Sequence, residues 1–380
     1  MKVLLTGGGT AGHVNPALAI AAALTAHDPN TQICFAASAL PNDKAGDLIP
    51  RAGYELRRIN IRGLRRPVYS PANLKLPLIM LRSRKEARRL IQEFAPDLIV
   101  GTGGYACWPV VSMGAAMGIP TAVHESNALP GKAICQVKKK VDKILINFPE
   151  TAEKLGLDPK DPRVVRVGNP YMADFGRVTR QEARKALGIA SDEVYVLSFG
   201  GSLGAEHVND AVISLWEELS PLYPRVSFCH AAGKRDYERI KMAAQAKGLD
   251  ASPRLTLLDY IYDMPLRMAA ADVVISRAGA MSISELALMK KAAVLIPSPY
   301  VADNHQYKNA MALQNKHAGI CVEEHTLEKG ALSRAVKTLL EDASKRQSMA
   351  NAIYEGFAVP KANEAILGEL MTLVATKKGE

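Results

Sequence analysis

His13 follows directly on Gly7-Gly8-Gly9-Thr10-Ala11-Gly12, so a titratable imidazole stands at the mouth of a loop of the kind that cradles phosphate. Imidazole has a reference pKa of about 6.5 and can take a proton from a hydroxyl near neutral pH. Glycine lets backbone approach an anion closely, and the start of a following helix adds unpaired N–H groups and partial positive charge. The same charge disfavours imidazolium, which keeps a ring at that place neutral and able to act as a base. Two more glycine segments follow apolar runs: Gly101-Thr102-Gly103-Gly104-Tyr105 and Gly200-Gly201-Ser202-Leu203-Gly204-Ala205. Each alone is equally a tight strand-to-helix turn; three together point to two phosphate-bearing ligands.

A further stretch, Ser276 to Glu285, combines backbone donors with an acid. Ala280, Met281 and Ser282 would offer N–H groups to a diphosphate at a helix start. Glu285 has two acceptor oxygens, enough to hold the vicinal diol of a ribose; otherwise it is a charge near the first turn with a capping role. Asp303-Asn304-His305-Gln306-Tyr307 is a polar cluster that either caps the next helix or reads sugar hydroxyls. His124 closes an apolar run and is expected to bind backbone rather than to catalyse, whereas Glu125 is a candidate for orienting His13.

The elements that must position these residues alternate. Expected strands are Val3–Thr6, Gln32–Ala36, Leu98–Gly101, Thr121–His124, Lys143–Ile146 and Val164–Val167. A second series comprises Val194–Phe199, Val226–Ala231, Leu255–Leu258, Val273–Ser276 and Ala293–Pro297. Helical patterns rich in Ala, Leu, Lys and Glu fill most gaps, which argues for parallel sheets with crossover helices. Each series opens with a strand running into a glycine loop, so the expectation is an α/β chain of two Rossmann-like domains. Their parallel sheets would present strand ends, where such sheets bind ligands, to a central cleft. The expected domains are 1–167, 168–355 and a final helix over 356–380, with Gly168-Asn169-Pro170 as linker.

Composition narrows the function. A dehydrogenase would carry an acid at the end of its second strand for the ribose of NAD, but Ala36, Ala37 and Ser38 stand there. The five cysteines are dispersed with no CxxC, which reads as free thiols in a reducing compartment. No secretory signal pattern precedes the first glycine, and the most apolar stretch, Trp108 to Val123, is broken by Pro109, Gly114, Gly118 and Pro120. It reads as a helix followed by a strand. No metal-ligand spacing stands out, and no cofactor is expected. The net charge is +10, and between Arg57 and Arg89 eleven Lys or Arg residues face one acid, Glu86. Leu74, Leu76, Leu78, Ile79, Met80 and Leu81 interleave with them. A basic rim around an apolar patch suits an anionic membrane face. Nucleic acid is the competitor, but only Tyr69 offers a stacking ring there, and no nucleic-acid partner is expected.

The stretches GGGTAGHVNPALA, GTGGY, HESNALPG, VGNP, GGSLGAEHVN, YIYDMP, SRAGAMSISELA and NHQYKNA, in this order from residue 7 to about 311, together resemble the MurG family. The resemblance implies the glycosyltransferase B fold, with the final helix packed on the first domain. It implies an inverting transfer of GlcNAc from UDP-GlcNAc to the 4-hydroxyl of MurNAc in lipid I, undecaprenyl-diphospho-MurNAc-pentapeptide, at the cytoplasmic face of the membrane. In that transfer His13, by its chemistry and place, is the expected base; the alternative is a helix-start histidine that binds backbone or substrate without moving a proton. Ile261 lies by uracil, Ser202 by the nucleotide and Ala280, Met281 and Ser282 by the donor diphosphate, with Ile283 and Ser284 also binding the donor. Glu285 holds ribose and Gln306 the sugar. Thr10, Ala11, Gly12 and Asn127 meet GlcNAc from the first domain, and Gly9, Gly103, Gly104 and Tyr105 hold the lipid diphosphate. Ala11, Ser126, Leu203, His305 and Met172 depart from frequent family residues. Alternatives on the same fold are a lipid glucosyltransferase or a UDP-GlcNAc 2-epimerase, and of another class a membrane-associated protein that has lost catalysis.

Overall fold

The structure, a computed structural model, describes residues 1–63, 71–158, 160–171, 175–201 and 204–379. Tyr69, Met172, Ser202 and Leu203, singled out above, lie outside the described residues, as do Arg65 and Arg66 of the basic stretch.

The chain divides into two compact units, Met1–Tyr171 with Lys361–Glu380, and Met172–Pro360. The expected boundary at 355/356 falls inside a helix, Ala343–Phe357, whose Met349 and Phe357 are buried, so the crossover has to follow it. In the first unit the order is β1 (Lys2–Gly7), α1 (Ala11–His27), β2 (Gln32–Ser38), α2 (Ala45–Arg51), β3 (Glu55–Ile59), α3 (Leu76–Phe94), β4 (Leu98–Gly103) and α4 (Cys107–Ala116). There follow β5 (Thr121–Glu125), α5 (Lys132–Val137), β6 (Lys143–Ile146), α6 (Thr151–Lys154) and β7 (Val164–Arg166). The second unit runs α7 (Arg180–Leu187), β8 (Val194–Phe199), α8 (Glu206–Leu219), β9 (Val226–Ala231), α9 (Tyr237–Ala246), β10 (Leu255–Leu258) and α10 (Met264–Ala270). It continues β11 (Val273–Ser276), α11 (Ala280–Leu288), β12 (Ala292–Leu295), α12 (His305–Gln314), β13 (Ile320–Cys321), α13 (Ala331–Glu341) and α14 (Ala343–Phe357). The final helix α15 (Ala362–Lys378) belongs to the first unit.

Among the described residues each unit holds one parallel sheet, in the orders β3-β2-β1-β4-β5-β6-β7 and β10-β9-β8-β11-β12-β13. Helices cover both faces, which is why the central strands are apolar throughout rather than alternating. The alternation appears instead in the destination of each side chain. Val3 and Leu5 of β1 join Phe35, Leu98 and Val100 in one core, whereas Leu4 joins Cys34, Ile99 and Val123 in the other. The first of these cores is closed by α1 through Val14, Ile20 and Leu24, and by α15 through Ile366, Leu370, Leu373 and Val374. Ion pairs Lys143–Glu369 at 2.8 Å and Lys377–Asp142 at 2.9 Å hold the flanks of α15. Asn363 grips the end of the first segment, accepting from the Tyr171 N–H at 3.1 Å and donating to the Tyr171 carbonyl at 2.8 Å.

The strand order reverses direction between β1 and β4 in the first unit, and between β8 and β11 in the second. Loops leaving neighbouring strands there run to opposite faces and leave a crevice at the carboxyl ends. The glycine segment before His13 and the Gly101–Tyr105 segment are the two loops at the first such point. Gly200 and Gly201 after β8, and Arg277–Gly279 after β11, stand at the second.

Leu370 is fully buried among Val3, Ile20 and Leu24. Leu370→Ala should lower the stability of the first unit by about 2–5 kcal/mol, read as a lower midpoint in urea. An unchanged midpoint would show that α15 contributes no packing.

Candidate active site

Gly7 and Gly8 are buried, Thr10, Ala11 and Gly12 are exposed, and His13 is half-buried in the first turn of α1. The helix starts with no side-chain cap and no acid in its first turn. The first N–H groups of such a helix have no intrahelical acceptor and favour a negative ligand. Pro16 has no N–H to return to the Gly12 carbonyl, so the turn also presents an acceptor.

His13 is held from three directions. Its Nδ1 lies 3.0 Å from the Gly8 carbonyl oxygen and 3.4 Å from Thr10 Oγ1. A carbonyl only accepts, so Nδ1 carries the proton in that bond and Nε2 keeps the lone pair. The Thr102 hydroxyl donates to the His13 carbonyl at 2.7 Å. It does so because the β1–β4 register slips between Thr6 and Gly7, leaving Thr102 as an extra residue whose side chain turns toward α1. The ring itself lies on Gly103: a Cβ there would fall 2.6 Å from His13 Cδ2. Gly104 presses on the Gly8 peptide in the same way: a Cβ on it would fall 2.3 Å from the Gly8 oxygen. Tyr105 is exposed, and its ring lies over Gly63.

Sequence reasoning missed Asp43, which lies beyond β2 in the turn before α2. It is buried, and its Oδ1 accepts from the Gly9 N–H at 2.6 Å and from the Ala45 N–H at 3.0 Å. The Gly9 amide therefore already serves an acid of this chain, and an anion at the loop would use the start of α1 or the Gly103–Gly104 backbone instead. The signal in the sequence was an acid a few residues past the second strand, further along than a dinucleotide site would put it.

Glu125 ends β5 and is buried. Its Oε1 accepts from the Asn127 backbone and side-chain amides at 2.9 and 3.2 Å, and its Oε2 from the Gly131 N–H at 2.7 Å. Burial pushes its pKa up against these bonds. It orients Asn127 and its own loop, not His13. His124 is fully buried, donates through Nε2 to the Gly168 carbonyl at 2.8 Å and faces Ser126 Oγ at 3.4 Å. Burial drives its pKa down to about 4, so it is a neutral structural clamp on the end of the first segment.

In the second unit α11 begins at Ala280 with Gly279 as N-cap, no side-chain cap and no acid in the first turn. Ala280, Met281 and Ser282 form that turn. Ile283 is buried, and the Ser284 hydroxyl donates back to the Ala280 carbonyl at 3.1 Å. Glu285 sits one turn further than expected, so it does not cap. It is half-buried, and desolvation pushes its pKa up to about 7. Asn309 fixes the preceding loop by donating to the Ala278 carbonyl at 3.2 Å. Gln306, in the first turn of α12, accepts from the Ser298 N–H at 2.9 Å, which sets its amide so that the NH₂ group is the outward donor. Asp303 and Asn304 ahead of it have φ of 50° and 53°, and Asn304, the N-cap of α12, makes no side-chain cap. Ile261 is buried in the loop after β10, between the exposed Tyr260 and Tyr262, whose rings lie 4.9 Å apart. Among the described residues no three His, Cys, Asp or Glu side chains group as a metal site.

Two Rossmann-like units, each with an uncapped helix start at the reversal point of a parallel sheet, are the architecture of the glycosyltransferase B fold. The family model described as glycosyltransferase family 28 N-terminal domain matches residues 3–146, and that for the C-terminal domain matches residues 195–365. The chain is 39% identical over 379 residues to the UDP-N-acetylglucosamine--N-acetylmuramyl-(pentapeptide) pyrophosphoryl-undecaprenol N-acetylglucosamine transferase of Acetivibrio thermocellus, covering 99% of both chains. It superposes on crystalline MurG of Acinetobacter baumannii with a TM-score of 0.77 and 25% identity, covering 98% of this chain and 99% of that one. A putative UDP-N-acetylglucosamine 2-epimerase of Listeria monocytogenes gives 0.65 at 12% identity over 99% and 97% of the two chains, a likeness of fold alone. The chain belongs to the MurG family of glycosyltransferases.

Glu285 also makes stability depend on pH. Between its ordinary value of 4.5 and about 7 the folded chain keeps a proton that the unfolded chain has released. Stability from this group therefore falls as pH rises through that window. Glu285→Gln should remove the slope: variant minus wild-type unfolding free energy grows from about pH 4.5 to about pH 7.5 in urea titrations. Parallel pH profiles would contradict the raised pKa of Glu285.

Proposed function

We propose that this chain transfers GlcNAc from UDP-GlcNAc to the MurNAc 4-hydroxyl of lipid I, with inversion, and thereby forms lipid II. The observation that carries the mechanism is the His13 tautomer. With Nδ1–H donating to the Gly8 carbonyl, Nε2 is the basic nitrogen. It takes the proton of the acceptor hydroxyl as oxygen attacks the anomeric carbon and the bond to UDP breaks. A positioned base of this kind contributes about 10²–10⁴-fold. The substrates are supported by the name of the Acetivibrio thermocellus relative, aligned over nearly the whole chain.

The first unit receives the lipid diphosphate at the start of α1 and at Gly103, Gly104 and Tyr105. Thr10, Ala11, Gly12 and Asn127 address the GlcNAc. The second unit binds the donor. Ile261 lies at the uracil, and Ala280, Met281 and Ser282 offer N–H groups to the diphosphate, with Ile283 and Ser284 in the same helix start. Glu285 accepts from the ribose hydroxyls, and the Gln306 NH₂ group donates to the sugar. The departing UDP gains negative charge, which helix starts without acids stabilise.

The acceptor is anchored in lipid, and α3 offers a surface for that. Its inner face buries Ser83, Ala87, Leu90 and Ile91, while Leu74, Leu78 and Leu81 are 83, 61 and 59% exposed. Arg82, Arg84, Lys85, Arg88 and Arg89 are exposed beside them. No helix of the described residues is long and apolar enough to cross a membrane. This face instead lies on an anionic lipid surface, at the cytoplasmic leaflet, with leucines inserted and cations on headgroups.

Incubation with UDP-GlcNAc and a lipid I analogue should give UDP and the disaccharide in equal amounts. UDP without disaccharide would mean hydrolysis, and a new UDP-sugar would mean the epimerase reading. His13→Ala should lower turnover by about 10²-fold or more with UDP binding retained; near-normal turnover would refute the base. Leu78→Ser with Arg84→Glu and Lys85→Glu should reduce sedimentation with vesicles containing anionic phospholipid, and added salt should do the same to the native chain. Sedimentation unaffected by both would remove the membrane face.

A further inference from the structure

The Gly8–Gly9 peptide bond is hydrogen-bonded at both ends. Its carbonyl accepts from His13 Nδ1 at 3.0 Å, and its N–H donates to Asp43 Oδ1 at 2.6 Å. A carboxylate, a peptide and an imidazole thus stand in series. We propose that Asp43 is a positioning residue for the reaction, fixing the orientation and tautomer of His13 through this one peptide unit; this rests on His13 being the base.

The chemistry of the series has one direction. A carboxylate accepting from an N–H makes a short, charge-assisted bond, and such a bond polarises the amide it meets. The polarised carbonyl is a stronger acceptor and favours the Nδ1–H form of the ring, which places the lone pair on Nε2. The outer partner of a functional imidazole acts in this way in many sites, there by direct contact. Here the peptide is interposed, so its plane has to be held. Asp43 and Gly104 hold it. A Cβ on Gly8 would meet Asp43 Oδ2 at 2.7 Å, and one on Gly104 would meet the Gly8 oxygen at 2.3 Å.

The environment of Asp43 calls for such a role. The side chain is buried, yet Oδ2 has no hydrogen-bond partner. A buried carboxylate oxygen without a donor is destabilising, and capping α2 through the Ala45 N–H needs only a neutral acceptor. A serine or asparagine would serve the turn. The negative charge is what the turn does not need and the His13 peptide can use.

The test uses the full chain, with ¹⁵N-labelled histidine and the His13 ring assigned by its loss in His13→Ala. In the native protein the neutral ring should be the Nδ1–H tautomer. Asp43→Ala should raise the Nε2–H fraction and lower kcat by about 10–100-fold, with donor KM within about twofold of native. Asp43→Asn keeps an acceptor for the Gly9 N–H and loses only the charge. It should keep the native tautomer with kcat between the two. A native Nε2–H tautomer, or an Asp43→Ala protein with native tautomer and kcat, would overturn the proposal. If Asp43→Ala does not fold, Asp43→Asn decides: reduced kcat at constant donor KM supports the assignment, and native kcat overturns it. Normal turnover in His13→Ala would remove the base and with it the catalytic meaning of Asp43. The tautomer change in Asp43→Ala would persist in that case and separate the two failures.

Discussion

Two loops in the first unit approach each other more closely than any side chain would allow. The segment after β4 crosses the segment after β1 with Gly103 against the His13 ring and Gly104 against the Gly8 peptide. Both glycines have positive φ, 108° and 84°, so their conformation as well as their size excludes other residues. This contact arises because β1 and β4 are neighbours in the sheet although two strands separate them in sequence. Everything attributed to His13 depends on it. The imidazole is not a side chain on an open helix end but one boxed between a carbonyl, a hydroxyl-bonded backbone and a glycine face.

Much of this architecture was legible beforehand. Apolar runs located most strands because buried parallel strands need no polar face, and bounds such as Lys143–Ile146 and Val194–Phe199 coincide with the structure. β3 was missed because it is an edge strand, Glu-Leu-Arg-Arg-Ile, with three charged side chains turned outward. β13 was missed because it has two residues. The pairing of His13 with the Gly101–Tyr105 loop could be guessed from glycine content but not its form, since the Thr102 bulge is a matter of register. Asp43 was hidden because the partner that ties it to the His13 loop is a backbone N–H 34 residues away, which leaves no pattern in side-chain spacing. Glu285 was correctly noticed as an acid near a helix start. Its desolvation depends on what packs around α11, which residue spacing does not show.

Buried histidines divide into those that move and those that hold. His124 in the first unit and His230 in the second are both fully buried with pKa driven down to about 4 by desolvation. His230 donates through Nε2 to Asn209 at 3.0 Å and accepts from Ser198 at 2.9 Å, while Asn209 is itself fixed by Ala232 and Asp236. Rings so completely satisfied serve as rigid hydrogen-bonding struts between a strand and its neighbours. His13 differs in being half-buried and bonded at Nδ1 to a loop carbonyl, which leaves its chemistry to be set by the loop.

The grip of Asn363 on Tyr171 has a topological meaning. The Lys361 N–H also donates to the Tyr171 hydroxyl at 3.0 Å, so the chain leaves the first unit and re-enters it at one spot. The second unit is therefore an insertion, spliced into a host whose termini are completed only when the last helix arrives. The helix that seals the host's core is separated from the sheet it covers by the whole guest, so a cut within the guest would leave α15 joined to the host by non-covalent contacts alone.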